Sequence, residues 1–346
     1  MVFVPLGTPK SAAIEGRQVD RGLLDDVRAA GHDLLRRLHE AERLTAAWSD
    51  RRLAEALVDA ALSDAMVRLA RTECWGEANR LPSTELWAVA GSVLDVGALQ
   101  HLARFKPHGY AGDYVMLTRI CEESCCSHPL GSVFDWYFLR QAAPEAVRAR
   151  TQHTATALVA DCLERARKEY RVASVGSGPA IDVARAAATL PEESRAALRV
   201  KLLDLDPAAL DAARRRLEPL LAGDGLACTR TNLYRLAQGA RGAGELGNPD
   251  FLVCAGFFDY LDDAPAVSLL ALFWRQLAAG GRLLVGNFAP HNPSRAYMEW
   301  IGNWYLKYRT AEQLESLALA AGIPSGDFHI ACERTGVDLF LVASKR

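Results

Sequence analysis

The sequence predicts an α/β chain: a helical region over residues 1–150, then a mostly parallel sheet with helices on both faces over 151–346. Three observations predict it. Apolar residues recur at helical spacing through the first half. From Val172 short β-rich runs alternate with helical runs. A Gly-x-Gly turn follows the first of those strands. Such alternation means a doubly wound sheet, whose ligand crevice lies beyond the carboxyl ends of the strands.

In the helical region Asp20 can cap a run in which Leu23, Val27, Leu34 and Leu38 share a face. Leu53, Leu57, Leu62, Met66 and Leu69 mark a second helix. Pro82-Ser83 is expected to break the pattern, with a third helix from about Leu86 to Phe105. The loop Lys106-Pro-His-Gly-Tyr-Ala-Gly-Asp-Tyr114 has two glycines and no helical period, and it reads as a lid. A helix over roughly Val115–Glu123 follows, and Pro144 opens a long one ending near Tyr170. The strand runs are then VASV, RVKLLD, ACTRT, DFLVCAG and RLLVGNF, with two more near 328–332 and 338–343. The helical runs between them cover 179–190, 207–222, 264–279 and 311–321.

Composition removes several functions. The chain has 346 residues and a net charge of −2, without the basic surplus of a phosphate-backbone binder. Arginine supplies nearly all the cations, since lysine stands only at 10, 106, 168, 201, 307 and 345. No apolar run is long enough to span a bilayer, and MVFVPLGTPKSAAIEGR lacks the pattern of a secretory signal. The eight cysteines form no dense framework, so a cytoplasmic setting with free thiols is expected. Cys121, Cys125, Cys126 and His128 fit no standard zinc spacing, and no metal is expected.

The first strand runs into Ser174-Val-Gly-Ser-Gly-Pro-Ala-Ile-Asp182. Gly176 and Gly178 allow a sharp turn and close approach of a ligand. The dinucleotide fingerprint would need glycine where Ile181 stands, and the P-loop Gly-Lys-Ser/Thr is absent. A tight turn without ligand remains an equal reading of this motif alone. The second strand ends in Asp204-Leu-Asp206-Pro207, 28 residues after Gly176. Asp204 is placed to accept both hydroxyls of a ribose, and Asp206 suits an N-cap. Asn232 follows the third strand, and Gly256-Phe-Phe-Asp-Tyr260 follows the fourth.

VGSGPA, LLDLDP, TNL, CAGFFDYL and AAGGRLLVGNF, in this order, resemble the class I S-adenosylmethionine-dependent methyltransferases over about 172–343. The resemblance implies a Rossmann-like methyltransferase sheet behind an N-terminal helical cap. Two departures stand out: Ser174 replaces a common acidic residue and Ala180 a common third glycine. KPHGYAGDY, CAGFFDYL and GNFAPHNPSRAYMEWIGNWYLKYRT look like bacterial methyltransferases associated with making 3-hydroxypalmitic acid methyl ester. With S-adenosylmethionine as cofactor and S-adenosylhomocysteine as product, the expected cofactor residues are Gly176, Ser177, Gly178, Asp204, Asn232, Leu233, Gly256, Phe257 and Tyr110.

The acceptor is expected under the 289–309 segment. A hydroxyl or phenol acceptor would profit from a protein base, for which His291, Glu299 and Tyr305 are the candidates. A carboxylate acceptor would not need one. His108, Asp113, Tyr260, Asn292, Trp304 and Arg309 are the remaining expected substrate contacts. Tyr297, Trp300, Ile301 and Trp304 keep helical spacing, which for Trp300 and Ile301 reads as packing on the sheet. Two alternatives remain: a methyltransferase-fold cyclase in natural-product biosynthesis, and a non-catalytic cofactor-binding module. A nucleic-acid methyltransferase is disfavoured, because CAGFFDY stands where an Asn/Asp-Pro-Pro-aromatic motif would be needed. A small-molecule acceptor, no membrane insertion and a possible homodimer complete the expectations.

Overall fold

A computed structural model describes residues 21–46, 50–237 and 244–346. Asp20 and the segment before it lie outside them. Helices α1 (Arg21–Ala46) and α2 (Arg51–Ala70) pack on each other and on α3 (Arg80–Leu94) and α6 (Pro129–Leu139). Val27, Leu34 and Leu38 of α1 and Leu62, Met66 and Leu69 of α2 are buried as their spacing predicts. Leu53 instead lies 46% exposed, in the first turn of α2, where Asp50 caps the Leu53 N–H at 3.0 Å. No described helix is long and apolar enough to cross a membrane.

Pro82-Ser83 does not break the third helix. Both residues sit in the first turn of α3, where a missing N–H costs nothing. The break comes at Asp95–Gly97, and α4 (Ala98–Phe105) follows. After the lid loop comes α5 (Tyr114–Cys121), where a helix is expected, and then α6, for which the sequence reading has no counterpart. Nine residues of α6 are buried, so it shows no polar–apolar period. His128 and Pro129 start it: the His128 Nδ1 accepts the Gly131 N–H at 3.1 Å. The long helix α7 (Ala142–Arg165) stops at Ala166, in the left-handed region at φ 43°, short of Tyr170. It runs through residue 150, where the sequence reading divides the chain.

The sheet contains β1 (Tyr170–Val175), β2 (Leu198–Asp204), β3 (Leu226–Arg230), β4 (Phe251–Cys254), β5 (Arg282–Phe288), β6 (Phe328–Cys332) and β7 (Asp338–Ser344). Their order is β3-β2-β1-β4-β5-β7-β6. The first five pair in parallel, and β7 runs antiparallel between β5 and β6. Connecting helices are α8 (Ile181–Thr189), α9 (Glu192–Ala196), α10 (Pro207–Leu217), α11 (Leu233–Ala237), α12 (Asp263–Gln276) and α13 (Ala311–Ala320). This is the Rossmann-like α/β sheet with a helical N-terminal region that the sequence predicts. The strand order reverses direction between β1 and β4, which opens a crevice at their carboxyl ends.

Apolar cores line both faces of the sheet, and a further one fills the helical region. The last takes in Phe288, Tyr297, Trp300, Ile301 and Trp304 from the far end of the chain. The segment after β5 therefore folds with the helical region.

Asp161 ties α7 to the sheet. Fully buried, it accepts the Tyr170 hydroxyl at 2.5 Å and the Arg165 Nε at 2.5 Å, and pairs with Arg282 of β5 at 3.2 Å. Loss of this carboxylate leaves cations and a hydroxyl unpaired. Asp161→Asn is expected to cost about 3 kcal/mol, the low end of the range for broken buried pairs, because both arginines keep some solvent. Urea denaturation measures it, and an unchanged midpoint would refute the assignment.

Candidate active site

The chain leaves β1 through Gly176 at φ +64° and Gly178 at φ +50°. At Gly176 an added side-chain carbon would lie 3.3 Å from Phe257 and 3.4 Å from Leu233. The turn therefore runs between residues from the β3 and β4 ends. Ala180 also takes a left-handed conformation and caps α8, so Pro179 lies outside the helix it was expected to open. Asp204, at the tip of β2, holds the turn. Its Oδ2 accepts the Gly178 N–H at 2.8 Å and its Oδ1 the Asp206 N–H at 3.0 Å. Burial pushes its carboxyl up, and these backbone donors oppose the shift. The Ser177 hydroxyl is buried without a hydrogen-bond partner among the described residues. Gly176, Ser177, Gly178, Asp204, Leu233 and Phe257 thus form one cradle. Asn232 caps α11, accepting the Arg235 N–H at 3.2 Å.

The Lys106–Tyr114 loop lies against this cradle. Lys106, at φ 48°, donates to the carbonyls of Ala103 at 3.0 Å and Asn303 at 2.8 Å. Burial, with Arg104 and Arg80 nearby, lowers its amine to about 8. The Tyr110 hydroxyl donates to Asp206 Oδ2 at 2.9 Å, while Asp206 Oδ1 caps α10 at the Ala208 N–H. A side-chain carbon at Gly112 would lie 3.0 Å from both Trp304 and the Tyr260 hydroxyl. That hydroxyl accepts the Trp304 indole N–H at 2.8 Å and donates to the Ala111 carbonyl at 3.2 Å. Asp113 caps α5, accepting the Val115 and Met116 N–H groups at 2.9 Å. His108 is exposed, its ring 5.0 Å from that of Tyr114. Leu117 of α5 closes over Gly178.

His291, Glu299 and Tyr305 are not gathered at the strand ends as the sequence predicts. His291 is exposed and its Nε2 meets the Gly336 carbonyl at 2.8 Å, in the β6–β7 turn. Glu299 is buried, accepting the Gly76 N–H at 2.6 Å and the Arg295 Nε at 2.7 Å. Arg295 lies between the rings of Trp75 and Tyr308. The Tyr305 hydroxyl donates to Asn79 Oδ1 at 3.1 Å, and burial pushes it up to about 12. Each is committed to a structural contact.

Arg309 and Asn292 are corrected likewise. Arg309 is buried and donates to the Phe258 and Leu261 carbonyls, Asn287 Oδ1 and Asp263. It fastens the β4–α12 loop instead of facing a substrate carboxylate. Asn292 is buried and accepts the Ser294 N–H at 3.0 Å.

The sequence reading misses Arg150. This buried α7 residue donates to Asp338 at 2.9 Å, lies 3.7 Å from Asp259 and packs on Gly256. An arginine inside an Ala/Arg-rich helix carries no signal of burial. Asp259 also accepts the Phe288 N–H at 2.8 Å. Burial raises its carboxyl to about 6 despite the guanidinium.

No family model matches the chain, and no curated protein matches it. Among solved structures it is similar to a possible exported protein from Bordetella parapertussis, at 18% identity and a TM-score of 0.56, covering 96% of this chain and 99% of that one. Two further similar structures have TM-scores below one half. Magnesium protoporphyrin IX methyltransferase from Synechocystis PCC 6803 with bound S-adenosylhomocysteine reaches 0.42 at 16% identity, covering 60% of this chain and 88% of that one. The S-adenosylmethionine-dependent methyltransferase SibL reaches 0.45 at 17% identity, covering 94% and 96%. At 18% identity the likeness to the Bordetella protein is one of fold.

Two outcomes follow from the site geometry. Glu299→Gln and Tyr305→Phe are expected to lower the melting temperature while leaving affinity for ligands of the glycine cradle within about twofold, since each removes one hydrogen bond remote from it. A calorimetric titration showing a tenfold loss of affinity would return them to the site. Asp259 has a folded pKa above its unfolded one, so the native state holds the extra proton. Its contribution to stability is greatest below about pH 4 and falls as pH rises towards about 6. Asp259→Asn is expected to flatten the stability profile in that window, and an unchanged slope in denaturation curves from pH 4 to 7 would refute it.

Proposed function

We propose that the protein binds S-adenosylmethionine and transfers its methyl group to a small-molecule acceptor, a carboxylate or hydroxyl. The observation that carries this reading is the cradle at the switch point. Left-handed glycines bring backbone close to a ligand, the sheltered Ser177 hydroxyl lacks a partner, and Asp204 keeps a lone pair on each oxygen after accepting two N–H groups. Such a carboxylate suits the paired hydroxyls of a ribose. Leu233 and Phe257 supply apolar walls, and Tyr110 closes the open side. The cofactor, when bound, supplies a methyl group activated by its sulfonium.

The chain's own task is then to orient the acceptor and exclude water. Tyr260, Trp304 and the backbone at Gly112 line the lid's inner side. Neither Glu299 nor Tyr305 supplies a free base there, since both are tied to structural contacts. The eight cysteines are free thiols, which suits a reducing cytoplasm. A role in bacterial natural-product biosynthesis is the setting we propose. The Bordetella protein's description as exported is a property of that protein alone.

Isothermal titration with S-adenosylmethionine and S-adenosylhomocysteine tests the cofactor, and product mass tests transfer: a methyl gained separates methylation from internal cyclisation. Asp204→Ala is expected to weaken cofactor binding by about 2–3 kcal/mol, the scale of hydrogen bonds to a charged acceptor. Unchanged affinity would remove Asp204 from the ribose.

A further inference from the structure

A groove of about 590 Å³ runs between α5 and α10, beginning at Tyr114, the last residue of the lid. Thr118, Arg119 and Glu122 continue its lining along α5, while Arg215 and Arg216 line it from α10. Residues three and four apart share a face of a helix, so each helix presents one face to the groove. Two contacts bring these walls to the glycine turn. Leu117 of α5 lies 3.6 Å from where a side-chain carbon at Gly178 would stand, and Arg216 donates to the Pro179 carbonyl at 2.8 Å. None of the cradle residues lines the groove, so it is a separate concavity.

The charges that line the groove do not balance. Arg216 meets Glu122 at 3.4 Å. The guanidinium groups of Arg119, half-buried, and Arg215, exposed, make no hydrogen bond or ion pair among the described residues. Three guanidinium groups therefore face one carboxylate, an excess of two positive charges in a concave site. Helix polarity explains a cation in the last turn of each helix. It does not explain why two helices set those cations around one groove, where like charges repel. Tyr114 and Ser124 add hydroxyl groups to the lining, whereas the Thr118 hydroxyl is spent on the Tyr114 carbonyl at 2.7 Å.

We propose that this groove binds a small phosphorylated molecule through Arg119, Arg215 and Arg216. Guanidinium forks match phosphate oxygens in pairs, and arginine keeps its charge throughout the physiological pH range. A phosphate monoester carries close to two negative charges at pH 7, which offsets the excess on the walls. The volume lies in the range of small-ligand sites and admits an organic body beside the phosphate. A nucleic-acid strand would need a basic surplus extended along the surface, and the net charge of −2 does not supply one. The site stands apart from the methyl transfer proposed above and does not depend on it.

The experiment is calorimetric titration of the full chain with inorganic pyrophosphate, at low and then at high ionic strength. Wild-type protein is expected to show saturable binding that weakens as salt rises. Arg119→Gln and Arg215→Gln are each expected to weaken it by about tenfold, the scale of one charge-assisted hydrogen bond. Arg334→Gln removes the same charge from an exposed site in the β6–β7 turn, where Arg334 pairs with Glu145. It is expected to leave the affinity within about twofold, because exposed charges beyond a Debye length are screened. The groove arginines tested have no side-chain partner to lose, so the fold should survive, and circular dichroism checks it. Absence of saturable binding to wild-type protein would overturn the proposal. So would unchanged affinity in either groove variant, or an equal loss in Arg334→Gln. Displacement of pyrophosphate by S-adenosylhomocysteine would place the anion in the glycine cradle and overturn it as well.

Discussion

The buried guanidinium of Arg150 constrains more of this molecule than any other group. An arginine cannot shed its proton, so its burial obliges the fold to bring carboxylates to it. Asp338 at the start of β7 and Asp259 after β4 meet that demand. Asp259 then fixes the Phe288 N–H and the Asn287 side chain at the end of β5. Asn287 receives Arg309, whose other donors hold the carbonyls of Phe258 and Leu261. One charge on a helix of the N-terminal half thereby fixes the ends of β4, β5 and β7. Gly256 packs against the same guanidinium, and Phe257 beside it walls the glycine turn. The cradle's shape depends on the helical region through this chain of contacts, so the region is part of the site.

The sheet was legible because its signals are local. β-rich runs, Gly176 and Gly178, and Asp204 before a capped helix each follow from short-range chemistry, and all fall where expected. The largely buried helix α6 was not legible, because a segment buried on nearly every face has little period to read. Pro82 misled for a related reason: proline is as compatible with a first turn as with a break. The cradle residues were readable from strand order. The partners of His291, Glu299 and Tyr305 were not, since Gly336, Gly76 and Asn79 lie far away in sequence. Arg150 gave no warning, because burial of a charge is decided by tertiary partners alone.

The segment after β5 shows how one composition serves two purposes. Its aromatic density fits a roof over an acceptor, yet Tyr297, Trp300 and Ile301 are buried in the core of the helical region. Glu299 lies in the same turn with its charge spent on Arg295 and Gly76. A buried carboxylate among aromatics reads as catalytic only while its partners are unknown. Here it staples the C-terminal segment to the loop between α2 and α3. Trp304 is the exception, because its indole N–H is directed to Tyr260 and so to the lid.

The lid itself contacts both halves of the crevice through different atoms. Tyr110 reaches Asp206 on the β2 side, and the Ala111 carbonyl receives Tyr260 on the β4 side. Gly112 brings backbone against Trp304 where any side chain would collide. Each such hydrogen bond is worth about 1 kcal/mol net, so the pair favours the closed loop by about 2 kcal/mol, or roughly thirtyfold. Because one short loop makes both contacts, a ligand that displaces either bond also loosens the other. A loop of two glycines suits this: it bends to satisfy both anchors, and its length leaves little slack for one to form alone.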